Sequence, residues 1–366
     1  MTRDRAIARG IARWFSEHAR ELPWRTSPRD PYAALVAEVM AQQTQIARVA
    51  ERFGTFLARF PTVHDLARAR AGDVLALWAG LGYYRRARNL HAAAREIVER
   101  FDGRVPSSVA DLRTLPGVGR YTAGAIASIA FGRPEPIVDG NVARVLLRID
   151  GRDVTGAEAQ GHAWARAADL VALAPDPAAF NEGLMELGAT VCTPRSPRCS
   201  DCPVRAPCAA RRAGLQDSIP KPKPTPRRTT LHGLCLVVRD RRGRCLVERR
   251  PEHGLWAGLW QLPTWESRRG FPRAEAIAAE MGVAVRGPIT TIVRTLSHRR
   301  VRVRLYEAIG PARANLCRAR PRSRWVAVGA LAGLGVSSLQ AEALRVAGLY
   351  STPSPQTRRP GRIRAD

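Results

Sequence analysis

The sequence is almost without lysine: among 59 basic residues only Lys221 and Lys223 are lysines, and both lie in a proline-rich stretch. Covalent catalysis through a lysine amine is therefore disfavoured in the rest of the chain. Acidic residues are also scarce, 32 in all, which gives a formal net charge of +27. A strongly basic chain favours a polyanionic partner such as nucleic acid. Because almost all of this charge is arginine, a compositional bias of the genome is an alternative source of part of it.

Long apolar segments are absent as well. No window approaches the roughly 18 uninterrupted apolar residues of a membrane span, and the first residues, MTRDRAIARGIARWF, contain no apolar core of a secretory signal. We therefore expect a cytoplasmic, nucleoid-associated protein. A length of 366 residues suffices for two domains that each have their own core.

Composition divides the chain into four stretches. Residues 1–214 show short helical segments separated by Pro and Gly, without β-branched runs. Residues 215–230, LQDSIPKPKPTPRRTT, contain four prolines and four basic residues, which predicts an extended linker. Residues 231–350 alternate β-branched and polar residues around one helical segment at 274–281, which is typical of an α+β domain. From residue 351 the chain is basic and proline-rich, and we expect disorder.

A single carboxylate within an apolar helix is the first candidate for chemistry. Residues 33–45, AALVAEVMAQQTQ, predict a helix that ends in a polar run, and Glu38 is its only charged side chain. Burial disfavours the charged form and would raise the pKa of Glu38, making it a proton donor near neutral pH. A Glu on the solvated stripe of the helix is the alternative interpretation. The uncharged side chains that follow can contact nucleobases without preferring phosphates, and they are Gln42, Gln43, Thr44 and Gln45.

Four of the seven cysteines form one cluster, Cys192-x6-Cys199-x2-Cys202-x5-Cys208. Clustered thiols in an intracellular chain favour a metal site over disulfides. Both a structural zinc and a [4Fe-4S] cluster take four thiolates. Zinc sites more often use two CxxC pairs, whereas this chain has one. The outer spacings resemble the cluster loop of the endonuclease III superfamily of DNA glycosylases, which implies one [4Fe-4S] cluster.

Two glycine turns indicate contacts with DNA. The segment 115–119, LPGVG, lies between two helical segments, and its glycines permit a tight turn that leads into a helix N-terminus able to bind phosphate. It resembles the hairpin of helix-hairpin-helix proteins, although a plain connection between helices is the alternative. The segment 80–84, GLGYY, adds aromatic rings that could stack on bases or wedge between them. Core aromatics are the alternative for that pair.

A second carboxylate, Asp139, precedes the helical run VARVLLR and is predicted to cap its N-terminus. A helix N-terminus favours an anion, so Asp139 should stay ionised while Glu38 stays protonated. Two carboxyl groups in these different states can supply acid catalysis and electrostatic stabilisation together.

Taken in order, these segments resemble adenine DNA glycosylases of the MutY type. The matching segments span the N-terminal two thirds of the chain: LPWR, AEVMAQQTQ, GLGYYRRARNL, LPGVGRYTAGAIASIAFG, VDGNVARV, FNEGLMELGA and the four-Cys loop. The resemblance implies an all-α helix-hairpin-helix glycosylase domain with an iron–sulfur cluster loop, and a smaller α+β Nudix-like C-terminal domain. Within the first domain it implies a six-helix-barrel part at about 24–134 and a cluster part at about 1–23 and 135–214. The implied substrate is double-stranded DNA with adenine opposite 8-oxoguanine or guanine, bound by a monomer.

The resemblance also implies residue roles. Glu38 would be the general acid on adenine and Asp139 the carboxylate that stabilises an oxocarbenium-like sugar, with Tyr121 and Asn141 supporting them. The adenine pocket would contain Trp24, Arg25 and Glu182. The residues implied to contact DNA are Gln42, Gln43, Thr44, Leu81, Tyr83, Gly117 and Gly119.

A lesion-recognition loop is implied in the second domain. Leu296-Ser297-His298 lies between two β-like runs and resembles the Phe-Ser-His loop with which the family reads the lesion, with Leu296 in place of the aromatic residue. An ordinary hairpin turn with polar residues is the alternative. The flanking Arg294, Arg299 and Arg300 favour contact with DNA.

Three other functions compete with this interpretation. An endonuclease III-like glycosylase/lyase for oxidised pyrimidines would need a Lys where this chain has Tyr121. A Nudix hydrolase needs a helix rich in carboxylates for divalent metal, but this chain has Ala276 and Ala279 where acidic residues are expected. A non-catalytic DNA-binding protein would keep the hairpin without needing Glu38 and Asp139.

Overall fold

The computed structural model describes residues 2–221, 228–296, 298–310, 320 and 322–349. The chain divides into two compact units, residues 1–225 and 226–366. None of the described helices combines the length and the apolar character that crossing a membrane requires.

The first unit is helical. In its described part the α-helices are α1 (Arg3–His18), α2 (Pro31–Ala41), α3 (Ile46–Arg59), α4 (Val63–Arg68), α5 (Ala71–Leu77), α6 (Arg85–Arg100), α7 (Val109–Leu112), α8 (Arg120–Phe131), α9 (Gly140–Asp150), α10 (Gly156–Val171), α11 (Pro177–Thr190) and α12 (Ala209–Arg212).

Acidic caps begin the helices that carry the site. Asp30 caps α2 and Asp176 caps α11, and each is followed by a proline in the first turn, where the missing N–H is not needed. Asp139 caps α9 as predicted, since its side chain accepts a hydrogen bond from the Val142 N–H. These caps fix where the three helices start.

One apolar core lies between α1, α9, α10 and α11 and includes the fully buried Ile11, Leu146 and Phe180. Gly183 of α11 permits close packing of α1, because a Cβ there would lie 2.8 Å from a side-chain carbon of Ile11. Helix α2 is apolar around most of its circumference, with eight of its 11 residues buried. Glu38 is therefore held on a helix that is itself surrounded by protein.

The second unit is α+β, which confirms the predicted class. Its described elements are β1 (Thr229–Val237), β2 (Cys245–Arg249), β3 (Trp260–Gln261), β4 (Thr264–Ser267), α13 (Ala274–Met281), β5 (Ala284–Thr295), β6 (Arg299–Ile309), β7 (Ser323–Val326) and α14 (Ser338–Val346). The strands form two sheets of order β4-β1-β6-β5 and β3-β2-β7. Strands β1 and β6 are parallel, and the other pairs of named strands are antiparallel.

The predicted linker, residues 215–230, overlaps the end of the first unit and the start of the second. Ile219 is buried in a small core of the first unit, and its carbonyl accepts a hydrogen bond of 2.7 Å from Arg148 Nε. At the other end Thr229 already belongs to β1, as its β-branched side chain favours. Proline content predicted an extended chain but could not show that one apolar side chain anchors its start. The predicted tail, residues 351–366, lies outside the described residues.

Candidate active site

A cavity of about 220 Å³ lies in the helical unit between α2, α8, α11 and the start of α9. Its lining includes every residue that we predicted for catalysis and for the adenine pocket: Trp24, Arg25, Glu38, Tyr121, Asp139, Asn141 and Glu182. The segment before α2, the helices α2, α8 and α11, and the start of α9 supply these side chains. Folding therefore brings together groups that are far apart in the sequence.

Glu38 has the properties of a proton donor. Its pKa is raised to about 7, mainly by burial and further by the negative charges of Glu182 and Asp139. A hydrogen bond with Tyr121 acts in the opposite direction. A pKa near neutrality leaves about half of the Glu38 side chains protonated at pH 7, which suits a general acid.

Tyr121, on the first turn of α8, orients this acid. Its hydroxyl donates to Met185 Sδ at 2.9 Å and lies close enough to the Glu38 carboxyl group to affect the pKa of both side chains. Burial raises the pKa of Tyr121, and the charges of Glu38 and Asp139 raise it further. The phenol therefore remains a hydrogen-bond donor throughout the physiological range.

The two oxygens of Asp139 have different partners. Oδ1 accepts a hydrogen bond of 2.7 Å from the Val142 N–H, whereas Oδ2 lies 3.5 Å from Asn141 Nδ2, at the limit of hydrogen bonding. The N-terminus of α9 stabilises the negative charge. One oxygen is thus fixed by the helix, and the other is less engaged.

Asn141 is held in place by Arg144, which sequence reasoning missed. Arg144 Nη2 donates to Asn141 Oδ1 at 2.9 Å and to the Gly188 carbonyl at 2.7 Å, while its Nε donates to the Cys192 carbonyl at 2.9 Å. Gly188 permits this approach, since a Cβ there would lie 2.8 Å from the Asn141 Cβ. Arg144 therefore connects the first cysteine of the four-Cys loop to the residue beside Asp139.

Ion pairs form one side of the cavity. Glu182 accepts hydrogen bonds from Arg25 Nε at 2.9 Å and from Arg29, and Glu186 accepts from Arg25 Nη2 at 3.0 Å and from Arg20. Burial raises the pKa of Glu182 despite the opposing charges of Arg29 and Arg25. Burial would also raise the pKa of Glu186, but hydrogen bonds from Arg20 and Arg25 bring it below its ordinary value. Each of these two acidic side chains beside Glu38 therefore has two arginine partners.

Sequence reasoning identified only part of this set, because it missed Glu186, Arg20 and Arg29. Glu182 and Glu186 are four residues apart on the otherwise apolar α11, a spacing that places both on one face. That signal could have predicted the second carboxylate. The two arginines lie in the irregular segment between α1 and α2, where no periodic pattern shows which way a side chain points.

A buried arginine, Arg86, joins the two loops that were predicted to contact DNA. Its guanidinium donates to five backbone carbonyls, those of Val39, Met40, Gln42, Leu81 and Gly82. Burial lowers the pKa of Arg86 to about 10, so it stays cationic and complements the C-terminal end of the α2 dipole. This role was not predictable from the local pattern, since RRAR at the start of α6 is typical of a solvated basic face.

The predicted DNA-contacting side chains fall into two groups. Gln43 and Tyr83 are exposed, and both have left-handed backbones, with φ of 55° and 45°. Such conformations cost on the order of 1 kcal/mol in residues other than glycine, and they are often found at functional sites. The other three are engaged inside the protein: Leu81 is in the core, Gln42 donates to Thr122, and Thr44 accepts from Arg86.

Gly117 and Gly119 form the predicted hairpin between α7 and α8. Gly117 has φ of 80°, and a Cβ there would lie 2.6 Å from the Asn89 Cβ. Gly119 is exposed and directly precedes α8, whose first turn receives no side-chain cap from the described residues. The free N–H groups of that turn are therefore available to an anion.

The four predicted ligand cysteines line one small cavity beside α9 and α11. All four are free thiols. Burial raises the pKa of Cys202 to about 12, and negative charge on the other three cysteines raises it further, which shows how close the four are. In the described ranges, no three His, Cys, Asp or Glu side chains converge as ligands of a single metal ion. The four side chains therefore share one cavity.

The predicted lesion-recognition loop forms the turn between β5 and β6. The Leu296 N–H donates to the Arg299 carbonyl at 2.7 Å, and the Thr229 N–H donates to the His298 carbonyl at 3.2 Å. His298 is exposed, whereas Leu296 is half-buried and packs against the core of the second unit. Ser297 lies outside the described residues.

Replacing the acid tests its burial independently of catalysis. Because the pKa of Glu38 is raised in the folded state, ionisation destabilises the fold as pH rises from about 4.5 through about 7. We expect Glu38→Gln to match the wild type near pH 4 and to exceed it by about 1–3 kcal/mol in free energy of unfolding at pH 8. Thermal and denaturant unfolding across this range measure the difference, and Glu17→Gln on the exposed side of α1 is the control. A difference that is constant with pH would contradict the raised pKa.

Known proteins resemble both units. Residues 36–165 match the family model of the HhH-GPD superfamily base excision DNA repair protein, and residues 234–346 match the NUDIX domain. The human adenine DNA glycosylase is 35% identical over 96% of this chain and 75% of its own length. The rat adenine DNA glycosylase is 39% identical over 71% of this chain and 60% of its own length. A solved structure of a thermostable thymine-DNA glycosylase, 27% identical, superimposes with a TM-score of 0.52 over 58% of this chain and 97% of its own. The chain therefore belongs to the adenine DNA glycosylases, base-excision-repair enzymes that here join a helix-hairpin-helix domain to a Nudix-like domain.

Proposed function

We propose that this glycosylase removes adenine paired with 8-oxoguanine, and less readily adenine paired with guanine, from double-stranded DNA. The observation that supports this most directly is the cavity in which Glu38, with its raised pKa, lies near the Asp139 carboxylate. A base stacked in a duplex cannot reach a cavity inside the protein, so the adenine must flip out of the helix. Trp24, Arg25 and Glu182 then surround it with one aromatic ring and hydrogen-bonding groups.

Glu38 supplies the proton. Adenine is a poor leaving group as an anion, and protonating a ring nitrogen lowers the barrier to its departure. Glu182 lies close enough to raise the pKa of Glu38, yet it is itself paired with two arginines. Glu38 has no arginine partner among the described residues and a pKa of about 7, so we assign the proton donor's role to it.

Asp139 stabilises the positive charge that develops on the sugar. Cleavage of an N-glycosidic bond passes through an oxocarbenium-like state, as in the hydrolysis of glycosides, and a fixed carboxylate stabilises that charge. We assign this role to Oδ2, because Oδ1 is occupied by the N–H of Val142. Asn141 and Arg144 keep the side chain from turning away.

Contacts with the duplex come from the exposed loops. Gln43 and Tyr83 project from turns that Arg86 holds together, so they are the side chains we assign to the space around the extruded base. The turn at Gly117 and Gly119 presents the N-terminus of α8 to a DNA phosphate. All of these groups come from one chain, so a monomer suffices.

The reaction stops at base removal. A lyase would form a Schiff base with a lysine amine, and the first turn of α8 carries Tyr121 at the position where the resemblance implies that lysine. Of the two lysines, Lys221 is ion-paired with Asp153 at 3.0 Å, and Lys223 lies outside the described residues. A glycosylase/lyase is therefore not favoured.

The mechanism predicts a defined pattern of products. On duplexes with adenine opposite 8-oxoguanine, guanine or thymine, we expect adenine release to be fastest from the first, with no strand break until alkali is added. Glu38→Gln and Asp139→Asn should each slow single-turnover excision by at least about 100-fold while keeping DNA affinity. Glu17→Gln serves as the control. A strand break without alkali, or an adduct trapped by borohydride, would contradict the monofunctional reaction.

We infer that the four cysteines hold one [4Fe-4S] cluster. All four side chains line one cavity, four thiolates are a ligand set of such a cluster, and the single CxxC pair with its outer spacings resembles the cluster loop of the endonuclease III superfamily. Arg148 donates hydrogen bonds to Cys192 Sγ at 3.4 Å and to the Thr193 carbonyl at 2.7 Å, so the loop is fastened to α9. When bound, the cluster would hold this loop and its arginines in position for DNA phosphates.

The cluster should be visible in the purified protein. We expect a brown protein with broad visible absorbance and about four irons per chain. Cys199→Ala should lose iron and DNA affinity, while Cys245→Ala, a buried cysteine of the second unit, should keep both. Metal analysis and absorbance spectra provide the measurement. A colourless wild-type protein with one zinc per chain would refute the assignment.

We propose that the β5–β6 turn reads the base opposite the adenine. His298 is exposed there and Ser297 precedes it, so the turn can offer hydrogen bonds to the altered edge of 8-oxoguanine. Leu296 packs against the core of its own unit. We therefore assign it a part in shaping the turn and not the role of a side chain that inserts between bases. Arg294 pairs with Glu342, so it is not the freely available cation that its position in the sequence suggested.

Removing the polar groups of this turn should change selectivity rather than chemistry. We expect Ser297→Ala combined with His298→Ala to leave the rate of excision from bound DNA nearly intact and to reduce the preference for 8-oxoguanine over guanine several-fold. Competition between the two duplexes measures this, with His253→Ala, an exposed histidine of the same unit, as the control. Full preference in the double variant would rule out this turn as the reader.

A further inference from the structure

One face of the four-stranded sheet carries a row of arginines. The register of β6 with its neighbours places Arg300, Arg302 and Arg304 on the same face. The alternate residues of β6 point to the opposite face and enter the core of the unit, and they are Val301, Val303 and Leu305. The strand is therefore apolar on one side and cationic on the other.

The neighbouring strands add no acidic residue to this face. Beside the arginines, β5 contributes Thr291, Val293 and Thr295, and β1 contributes Thr230 and His232. Helix α13 packs over the other end of the face, against Leu234, Leu236 and Tyr306. Helix α14 packs on the opposite side of the sheet, in the core that contains Val301 and Val303.

The positive charge of this row is not neutralised within the described part of the unit. The nearby carboxylates Glu307 and Glu342 are paired with Arg286 and Arg294. Among the described residues, no ion pair involves Arg300, Arg302 or Arg304. By contrast, most of the acidic residues described above already have an arginine partner.

An aromatic ring orients two of the three guanidinium groups. Arg304 lies 4.0 Å from the centroid of Phe271, and Arg302 lies 5.4 Å from it. Stacking on a ring occupies the flat face of a guanidinium and leaves the donors in its plane available. Planar donors held in this way suit bidentate contacts with phosphate oxygens.

We propose that this arginine face, Arg300, Arg302 and Arg304, binds the phosphate backbone of duplex DNA. The proposal rests on the proposed function, in which the adjoining turn meets the duplex. Arg300 pairs with Thr295 at the end of β5, so the row begins directly beside that turn and runs away from it along β6. If the turn contacts a base of one DNA strand, the phosphates next to that base would lie over the arginine face.

Salt dependence of DNA binding tests the proposal in the full-length protein. Each phosphate contact contributes about 0.9 to the slope of log K against log salt concentration. We expect Arg302→Gln with Arg304→Gln to reduce the magnitude of that slope by about 1–2, on a lesion duplex and on an undamaged one alike. The control is Arg249→Gln with Arg286→Gln, which removes the same charge from arginines already paired with Glu252 and Glu307 and should keep the slope.

Two further variants keep the test decisive. Arg302→Lys with Arg304→Lys retains the charge and should retain most of the slope. If loss of stacking on Phe271 unfolds the Gln variant, Arg300→Gln should still reduce the slope by about 1. An unchanged slope in a folded variant, or an equal loss in the control pair, overturns the proposal and would leave the face to an acidic protein partner. Absence of adenine release by the wild type would refute the proposed function instead, while the slope would still report on this face.

Discussion

The site depends on holding one carboxyl group, that of Glu38, at the wall of a cavity beside three others. Helix α2 is buried around most of its circumference, so Glu38 is half-buried among apolar side chains. Four carboxyl groups line the cavity, those of Glu38, Asp139, Glu182 and Glu186. Glu182 and Glu186 are paired with arginines and Asp139 caps α9, whereas burial and the charges of Glu182 and Asp139 raise the pKa of Glu38.

Buried arginines maintain this geometry by bonding to backbone carbonyls. Arg86 joins the end of α2 to the 80–84 turn, Arg144 joins Asn141 to the four-Cys loop, and Arg148 joins that loop to the segment at Ile219. A guanidinium has five donors in a fixed plane, which lets one side chain serve several carbonyls where an ammonium would serve fewer. Some of the many arginines therefore stabilise the fold, while others favour binding to nucleic acid. The net charge of the sequence does not distinguish these two groups.

Sequence patterns predicted the structural features that depend on interactions between residues close together in the chain. The polar break after α2, the Asp139 cap, the strands of the second unit and the helix at 274–281 all follow from nearest-neighbour preferences, and the structure contains them. Contacts between segments far apart in the chain could not be predicted from the sequence. Nothing near Arg86 or Arg29 in the sequence shows that each meets a partner from another helix, and the burial of Leu81 depends on how the turn packs. The resemblance to a family pointed to side chains that the structure brings together in one cavity, but not to all of the arginines that bond to them.

The most direct test is the pKa of the Glu38 carboxyl group in the free protein. Infrared difference spectra between the wild type and Glu38→Gln, recorded across a pH titration, isolate the protonated-carboxyl band of this one side chain. We expect the band to persist to neutral pH and to disappear with a midpoint of about 7. A midpoint near 4.5, the ordinary value for Glu, would show that water reaches Glu38 and would contradict its role as the acid.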